Sequence, residues 1–292
     1  MAEPLPIAYL NGEFLPLDQA RISPLDRGFL FADGIYEVIP AYAGRLFRFE
    51  EHLRRLERSL SEIRLANPFD AEGWRSLLEE LIRRNGGATQ SVYLQVTRGA
   101  DRGRDHVLPG TIRPTVFAMA SRLEPVPEEV REGGIAAVVR EDIRWKRCDI
   151  KSVALLPNIL LRDDAIRAGA GEAILVNGGY VIEGTSSTLF LVRDGIVHTP
   201  PPGNQLLPGI TRDVILELTR EAGIPTREQA LPREWLQDAD EIWLASSTRE
   251  VVAVTRLDGR PVGNGRPGPV WRQVDALIQD YKARLDTGAA TA

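Results

Sequence analysis

The sequence predicts an α+β protein of two domains, and three observations carry that expectation. Its 292 residues suit about two domains. Both halves mix hairpin signals with helical patterns, without the strict strand–helix alternation that builds a parallel sheet. Between the halves, residues 123–134 carry Pro125, Pro127, several glutamates and Gly133-Gly134, with no core periodicity. The expected division is a small N-terminal domain over 1–121, a linker over 122–134 and a larger domain over 135–292.

The elements follow in order. Asn11-Gly12 between short apolar runs is a hairpin signal, because both residues accept the positive φ of a tight turn. Residues 35–42, the turn Ala43-Gly44 and residues 45–48 predict a second hairpin. Leu53, Leu56 and Leu60 recur at helical spacing, so 49–63 reads as a helix. Another is expected over 74–84 with Asp70 as its cap, and strands over 91–98 and 115–120. Past the linker, a strand over 135–140 precedes a helix over 155–168, where Pro157 fits only the first turn. Strands follow over 172–176 and most of 180–192, separated by Asn177-Gly178-Gly179. Asp194-Gly195 turns into 196–198. Gly209-Ile210-Thr211 opens a helix that ends near Ala222-Gly223. A strand over 241–244 runs into Ser246-Ser247-Thr248. The last helix spans 270–285, and the tail beyond it is expected to be disordered.

A net charge of −5 lacks the basic footprint of bulk nucleic-acid binding. Cys148 is the only cysteine, so no internal disulfide forms and a reducing compartment is the simplest expectation. No stretch is long and apolar enough to span a membrane, and the first residues lack a signal-peptide pattern. A cytoplasmic protein is expected. The three histidines, His52, His106 and His198, are scattered, so no zinc site is expected. Phosphate-loop, dinucleotide and nucleophile-elbow motifs are missing.

Lys151 stands before a predicted helix, at the end of the charged segment 141–152. A lysine held among apolar neighbours loses its proton to desolvation and forms Schiff bases with carbonyl compounds. Most lysines in charged runs simply face water. Gly209-Ile210-Thr211 at a helix start can hold a phosphate with free N–H groups and a hydroxyl, or can be a plain Thr cap. Ser246-Ser247-Thr248 can form a second anion nest or a polar turn. Glu183 breaks an apolar strand, which is costly unless the carboxylate is paired. It can meet a protonated ring nitrogen, or mark a bulge. Arg104 and His106 in a loop suit a carboxylate, or form an ordinary charged loop. Arg55 can point at a phosphate or face water.

Taken in order, Arg55, Lys151, Glu183, Gly209-Ile210-Thr211 and Ser246-Ser247-Thr248 resemble the fold type IV pyridoxal-phosphate transaminases of the branched-chain and D-amino-acid type. The resemblance covers nearly the whole chain. Residues 141–152, Asp26-Arg27-Gly28 and the run Asp33-Gly34-Ile35-Tyr36-Glu37 resemble the D-amino-acid subgroup, whose carboxylate trap is matched by Arg104 and His106. The resemblance implies a small α/β domain and a larger domain with a barrel-like sheet. It implies that Lys151 carries the cofactor as a Schiff base and moves the substrate proton. It implies that Glu183 faces the ring nitrogen, and that Arg55, Leu207, Ile210, Thr211, Ser246 and Ser247 surround the cofactor, chiefly its phosphate. Tyr36, Arg104, His106 and Thr248 are implied to bind substrate, and a homodimer is implied because the trap includes partner groups. Two departures stand out. Thr188 replaces an expected asparagine, and the loop 99–103, with Arg102, is one residue longer than the pattern.

The implied activity is transamination of D-amino acids such as D-alanine or D-glutamate with 2-oxo acids, 2-oxoglutarate or pyruvate among them. A branched-chain L-amino-acid transaminase, an aminodeoxychorismate lyase and a cofactor-binding dimer without turnover are the alternatives.

Overall fold

The computed structural model describes residues 3–110 and 112–286. Contacts divide the chain into two compact units. The first takes the chain up to Glu124, then Ile150–Ala154 and the end of the chain from Arg284; the second takes Pro125–Asp149 and Leu155–Ala283. The tail expected to be disordered lies outside the described residues.

In the first unit, β1 (Pro4–Leu10) and β2 (Glu13–Pro16) form the expected hairpin, with φ of 52° at Asn11 and 112° at Gly12. A short helix, α1 (Arg27–Phe31), precedes β3 (Gly34–Tyr42) and β4 (Arg45–Leu46). The second strand of that hairpin is shorter than expected because Arg48 turns left-handed, at φ 50°, and starts the next helix. Then come α2 (Phe49–Glu62), α3 (Ala71–Arg84), β5 (Gln90–Thr97) and β6 (Thr115–Arg122). The Asp70 side chain caps α3 by accepting from the Gly73 N–H at 2.8 Å. The strands join in the order β2-β1-β6-β5-β3-β4. Alternate residues of the central strands, Ile35 and Ile39 with Val92, Leu94 and Val96, are buried in one cluster with Leu53, Leu56 and Leu60 of α2 and Trp74, Leu78 and Leu81 of α3. Period 2 in the sheet meets period 3.6 in the helices, and each buried side chain contributes roughly 1.5–3 kcal/mol of transfer free energy.

The second unit opens with α4 (Glu128–Gly133), a short helix inside the stretch expected as linker. It continues with β7 (Ile135–Glu141), α5 (Leu156–Arg167), β8 (Glu172–Asn177), β9 (Tyr180–Gly184), β10 (Thr188–Arg193) and β11 (Ile196–Thr199). After α6 (Ile210–Glu221) come β12 (Thr226–Glu228), β13 (Leu231–Pro232), β14 (Glu241–Ser246), β15 (Glu250–Leu257) and β16 (Arg260–Pro261), and then α7 (Pro269–Asp286). Ten strands make one sheet, ordered β12-β11-β10-β14-β15-β7-β8-β9-β13 with β16 on β15. Consecutive strands β9 and β10 lie far apart in that order, yet the Gly184 N–H donates to the Ser187 carbonyl at 2.7 Å. The sheet therefore curls into a half-barrel. Its inner core holds Ile174, Val176, Leu189, Leu191, Ile242, Leu244 and Val254. On the other face, Leu161 and Ala165 of α5 pack on Val138, Ala173 and Leu175. No described helix is long and apolar enough to cross a membrane.

Candidate active site

In the first unit Lys151 is held by its backbone. Its carbonyl accepts from the Tyr36 N–H at 2.9 Å, its N–H donates to Ser59 Oγ at 3.3 Å, and Val153 donates to the Gly34 carbonyl at 3.1 Å. The segment thus lies along the start of β3, with a bridge between Ile35 and Ser152. The lysine Nζ sits 4.2 Å from the centre of the Tyr36 ring. Among the described residues this amine makes no hydrogen bond or ion pair. It is placed on an aromatic face and left chemically uncommitted.

Below the same strand lies a buried charge cluster. Glu37, with no exposed surface, accepts from Arg55 Nε and Nη2, both at 2.8 Å, and meets His52 Nδ1 at 2.8 Å. Burial alone raises a carboxyl pKa, but the charge and hydrogen bonds of Arg55, then those of His52, hold Glu37 far below the usual range. Burial pushes His52 down, against the raising effect of the Glu37 hydrogen bond and charge. Arg55 therefore does not face water, and two of its nitrogens serve Glu37. Tyr36 stacks on Tyr93 with centroids 5.7 Å apart. Burial pushes the Tyr93 hydroxyl up to about 12, and it donates to Gln95 Oε1 at 2.6 Å. Arg104 and His106 are exposed and meet at the Phe31 ring; among the described residues neither has a hydrogen bond or ring contact with Lys151 or Tyr36.

In the second unit the strand registers bring the remaining expected residues to one end of the sheet. Ala137 pairs with Glu172, Ile174 with Gly184, Thr188 with Ala245 and Ser246 with Glu250. The end of β9, the start of β10 and the turn 247–249 therefore share an edge. A Cβ on Gly209 would lie 2.7 Å from Thr188 Oγ1, so only glycine lets the start of α6 approach β10 this closely. Gly209 is the N-cap and no side chain caps the helix; Thr211 lies inside α6, which corrects the plain Thr-cap reading. The first N–H groups of α6, with Ile210 buried and Thr211 half-buried, are open to an anion. Ser246 and Ser247 are half-buried and Thr248 is exposed. The Ser187 hydroxyl is buried at this edge without a hydrogen-bond partner among the described residues.

Glu183 is 5 % exposed, so it is no exposed bulge residue. Its Oε1 accepts from Arg144 Nη1 at 2.5 Å and its Oε2 from the Leu207 N–H at 3.3 Å. Arg144 is shared, since its Nε and Nη2 donate to Asp142 at 2.9 and 2.8 Å. Burial raises Glu183 to about 7, against the lowering effect of Arg144 and the Leu207 N–H. Arg144 itself is disfavoured by burial, yet Asp142 and Glu183 together hold it firmly charged. Nearby Glu172, also buried, accepts from the Thr185 hydroxyl and from the Ala173 N–H, and Asn158 Nδ2 donates to the Thr185 carbonyl at 2.7 Å.

Sequence reasoning missed Arg144, Glu37, His52 and Tyr93. Arg144 and Asp142, two residues apart in the lysine segment, were a signal for a self-contained ion pair. Glu37 was visible as a charge on the buried period of β3, and a buried carboxylate demands a cation.

Comparison with known proteins fits this arrangement. Residues 34–257 match the family of class IV amino-transferases. A D-alanine aminotransferase of Staphylococcus haemolyticus is 41% identical over 274 residues, covering 94% of this chain and 96% of the relative. One from Bacillus licheniformis is 39% identical over 274 residues, 92% of this chain and 95% of that protein. Among solved structures, a branched-chain amino acid aminotransferase of Escherichia coli superposes with a TM-score of 0.89 at 29% identity, covering 100% of this chain and 97% of that one. The T.th. branched-chain amino acid aminotransferase with pyridoxamine 5'-phosphate gives 0.88 at 28% identity, over 98% and 96% of the two chains. Enzymes of this class use pyridoxal phosphate. This chain belongs to the class IV aminotransferases, with the fold type IV architecture.

Proposed function

We propose that this enzyme transaminates D-amino acids of the D-alanine and D-glutamate type with 2-oxo acids such as 2-oxoglutarate or pyruvate. The observation that carries the proposal is the identity of about two residues in five to D-alanine aminotransferases over nearly the whole chain. The branched-chain enzymes, at 28–29%, are more distant in sequence though close in fold.

The residues fit pyridoxal 5'-phosphate. Glu183 is a buried carboxylate with one shared arginine, Ser187 has an unpartnered buried hydroxyl, and α6 starts without a side-chain cap. Lys151 would hold the cofactor's carbonyl carbon and Glu183 its ring nitrogen. Arg55, Leu207, Ile210, Thr211, Ser246 and Ser247 would surround the ring and phosphate. Tyr36, Arg104, His106 and Thr248 would hold the substrate. Bound there, pyridoxal phosphate supplies the electron sink that makes a Cα–H bond acidic.

The protein's own work is positional and electrostatic. The Lys151 amine, free of hydrogen bonds on the Tyr36 face, takes the proton from Cα and returns it on the other side of the exchange. Glu183, poised near neutrality by burial, takes its charge when a cation is placed against it, and so favours a protonated ring nitrogen. Arg104 and His106 fix the α-carboxylate, and that anchor points the Cα–H of a D-amino acid at the lysine.

A homodimer in the cytoplasm completes the proposal. Support for a second copy comes from large apolar side chains left outside: Phe29 and Val107 (70% exposed each), Trp145 (49%), Leu156 (65%), Ile159 (61%) and Ile166 (59%). Sedimentation at micromolar concentration should give twice the chain mass.

Mixing the purified enzyme with single D- and L-amino acids and following the absorbance of bound cofactor tests the reading. D-alanine should convert the cofactor fastest; faster conversion by L-leucine would overturn it. Repeated release of pyruvate from aminodeoxychorismate without any amino acceptor would indicate the lyase instead. Lys151→Ala should abolish turnover, whereas a pure binder has no turnover to lose.

A further inference from the structure

The sequence singles out Asp26-Arg27-Gly28, and no step proposed above uses it. In the structure it builds α1. Asp26 caps the helix by accepting from the Gly28 N–H at 2.8 Å, and its two oxygens also accept from the hydroxyls of Thr97 and Thr115 at 2.8 and 2.6 Å. A Cβ on Gly28 would lie 2.2 Å from Thr97 Cγ2, so the glycine lets the helix press onto β5. This short helix is thereby fixed to the sheet. On it, Arg27 and Phe31 are four residues apart and share a face.

Arg27 is 3% exposed and tied on several sides. Its Nε donates to Asp33 Oδ2 at 2.9 Å and its Nη1 to the Asp105 carbonyl at 2.7 Å, with Asp101 3.7 Å away. Asp105 lies between Arg104 and His106, so Arg27 fixes the backbone of that pair. The side chains meet the Phe31 ring. The Arg104 guanidinium lies 5.1 Å from its centroid, that of Arg27 4.8 Å, and the His106 ring 5.1 Å at a tilt of 47°. Among the described residues Arg104 has no acidic partner and His106 no hydrogen bond.

We propose that Phe31 is a positioning residue for the Arg104–His106 carboxylate trap, a role that rests on the trap reading given above. A carboxylate would also orient Arg104, but it would neutralise the guanidinium and compete with the substrate's own carboxylate. The face of an aromatic ring attracts the cation through its quadrupole and removes none of its charge. Phe31 therefore orders Arg104 while leaving its five N–H donors to the substrate. The same ring limits where His106 can turn. Recognition of the carboxylate is prepared in advance, with little side-chain freedom left to lose on binding.

The test uses the cofactor-loaded enzyme with Phe31→Leu, Phe31→Tyr and Arg104→Gln. Two probes report on the trap: the Kd for propionate, a non-reacting carboxylate, and KM against kcat for D-alanine. A third probe, 2-aminopropanol, carries the amine without the carboxylate. Phe31→Leu keeps bulk and removes the π face, and Arg27 keeps its three oxygen partners, so α1 stays seated. It should raise the propionate Kd and the D-alanine KM about fivefold, the scale of one exposed cation–π contact. Its kcat for D-alanine and its reaction with 2-aminopropanol should stay within about twofold of wild type. Phe31→Tyr, which keeps the π face, should restore both constants. If Arg104→Gln weakens propionate and Phe31→Leu does not, the proposal fails and the trap stands. If Arg104→Gln also leaves propionate unchanged, the trap reading fails and takes the proposal with it. Equal damage to D-alanine and 2-aminopropanol in Phe31→Leu would reduce Phe31 to a structural part and overturn its positioning role.

Discussion

Glu37 in the first unit and Glu183 in the second are both buried glutamates facing an arginine, and their electrostatics run in opposite directions. Glu37 receives two nitrogens of Arg55 and contacts His52, and is held far below the usual carboxylate range. Glu183 receives one nitrogen of Arg144, whose other donors serve Asp142, and burial lifts it to about 7. The first is a closed, satisfied pair. The second is left short of positive charge, which is the condition for welcoming a protonated ring nitrogen. Burial by itself distinguishes neither; the number of donors each carboxylate receives does.

That contrast can be broken in several ways. The largest effect is expected from Glu37→Gln, which removes the buried carboxylate that takes two nitrogens of Arg55. The cofactor-free chain should lose about 3–5 kcal/mol, the cost of removing one member of a buried pair, measured by urea unfolding. Glu183→Gln should do the reverse at pH 8. Arg144 keeps Asp142 and the desolvation penalty of Glu183 disappears, so the cofactor-free chain should gain about 1–3 kcal/mol. The same substitution should weaken cofactor retention, which tests the proposed binding role of Glu183 apart from its stability cost.

Next comes pH. Glu183 has a folded pKa above its unfolded value, so the native state holds the extra proton between about 4.5 and about 7. Stability should therefore fall as pH rises through that window, by about one proton's slope, and level off above it. Glu37 has the opposite sign: its contribution is full above the unfolded carboxylate range and is lost only as pH falls well below it. Glu183→Gln should flatten the first slope and leave the acid limb in place. An unchanged slope between pH 4.5 and 7 would show that Glu183 is not the group responsible.

The smallest effect sharpens the comparison with a third case. Glu241 is buried and has no arginine partner among the described residues; it accepts from Trp243 Nε1 at 3.0 Å and from the N–H groups of Val270 and Trp271 at 2.9 and 2.8 Å, capping α7. Glu241→Gln keeps one acceptor oxygen and should cost only about 1 kcal/mol, read as a small drop in Tm.

The parts of the molecule that follow local rules were legible in sequence. The Asn11-Gly12 hairpin, the Asp70 cap and the leucine face of α2 each rest on neighbours within a few positions. The curl of the second sheet was expected only from the family resemblance. Elements too short for any period, such as α1, β12, β13 and β16, were missed. So was α4, which forms in the Pro- and Glu-rich stretch. Among the candidate residues, Lys151 and Glu183 stood out because their residue types were costly where they stood. Their partners did not. Arg144 meets Glu183 across 39 positions, and Glu37 meets Arg55 across 18. Such pairs are set by how a helix or a loop packs against a strand, which no local pattern encodes.

The grouping of Ile150–Ala154 with the first unit has a consequence for synthesis. The ribosome releases the chain from the N-terminus, and domains generally fold as they emerge. The first 124 residues leave the exit tunnel with the edge of β3 near Ile35 still lacking the bridge that Ser152 supplies. Only after Lys151 and Ser152 have been translated can that seam close, so this edge of the nascent first unit waits for a segment made after the start of the second.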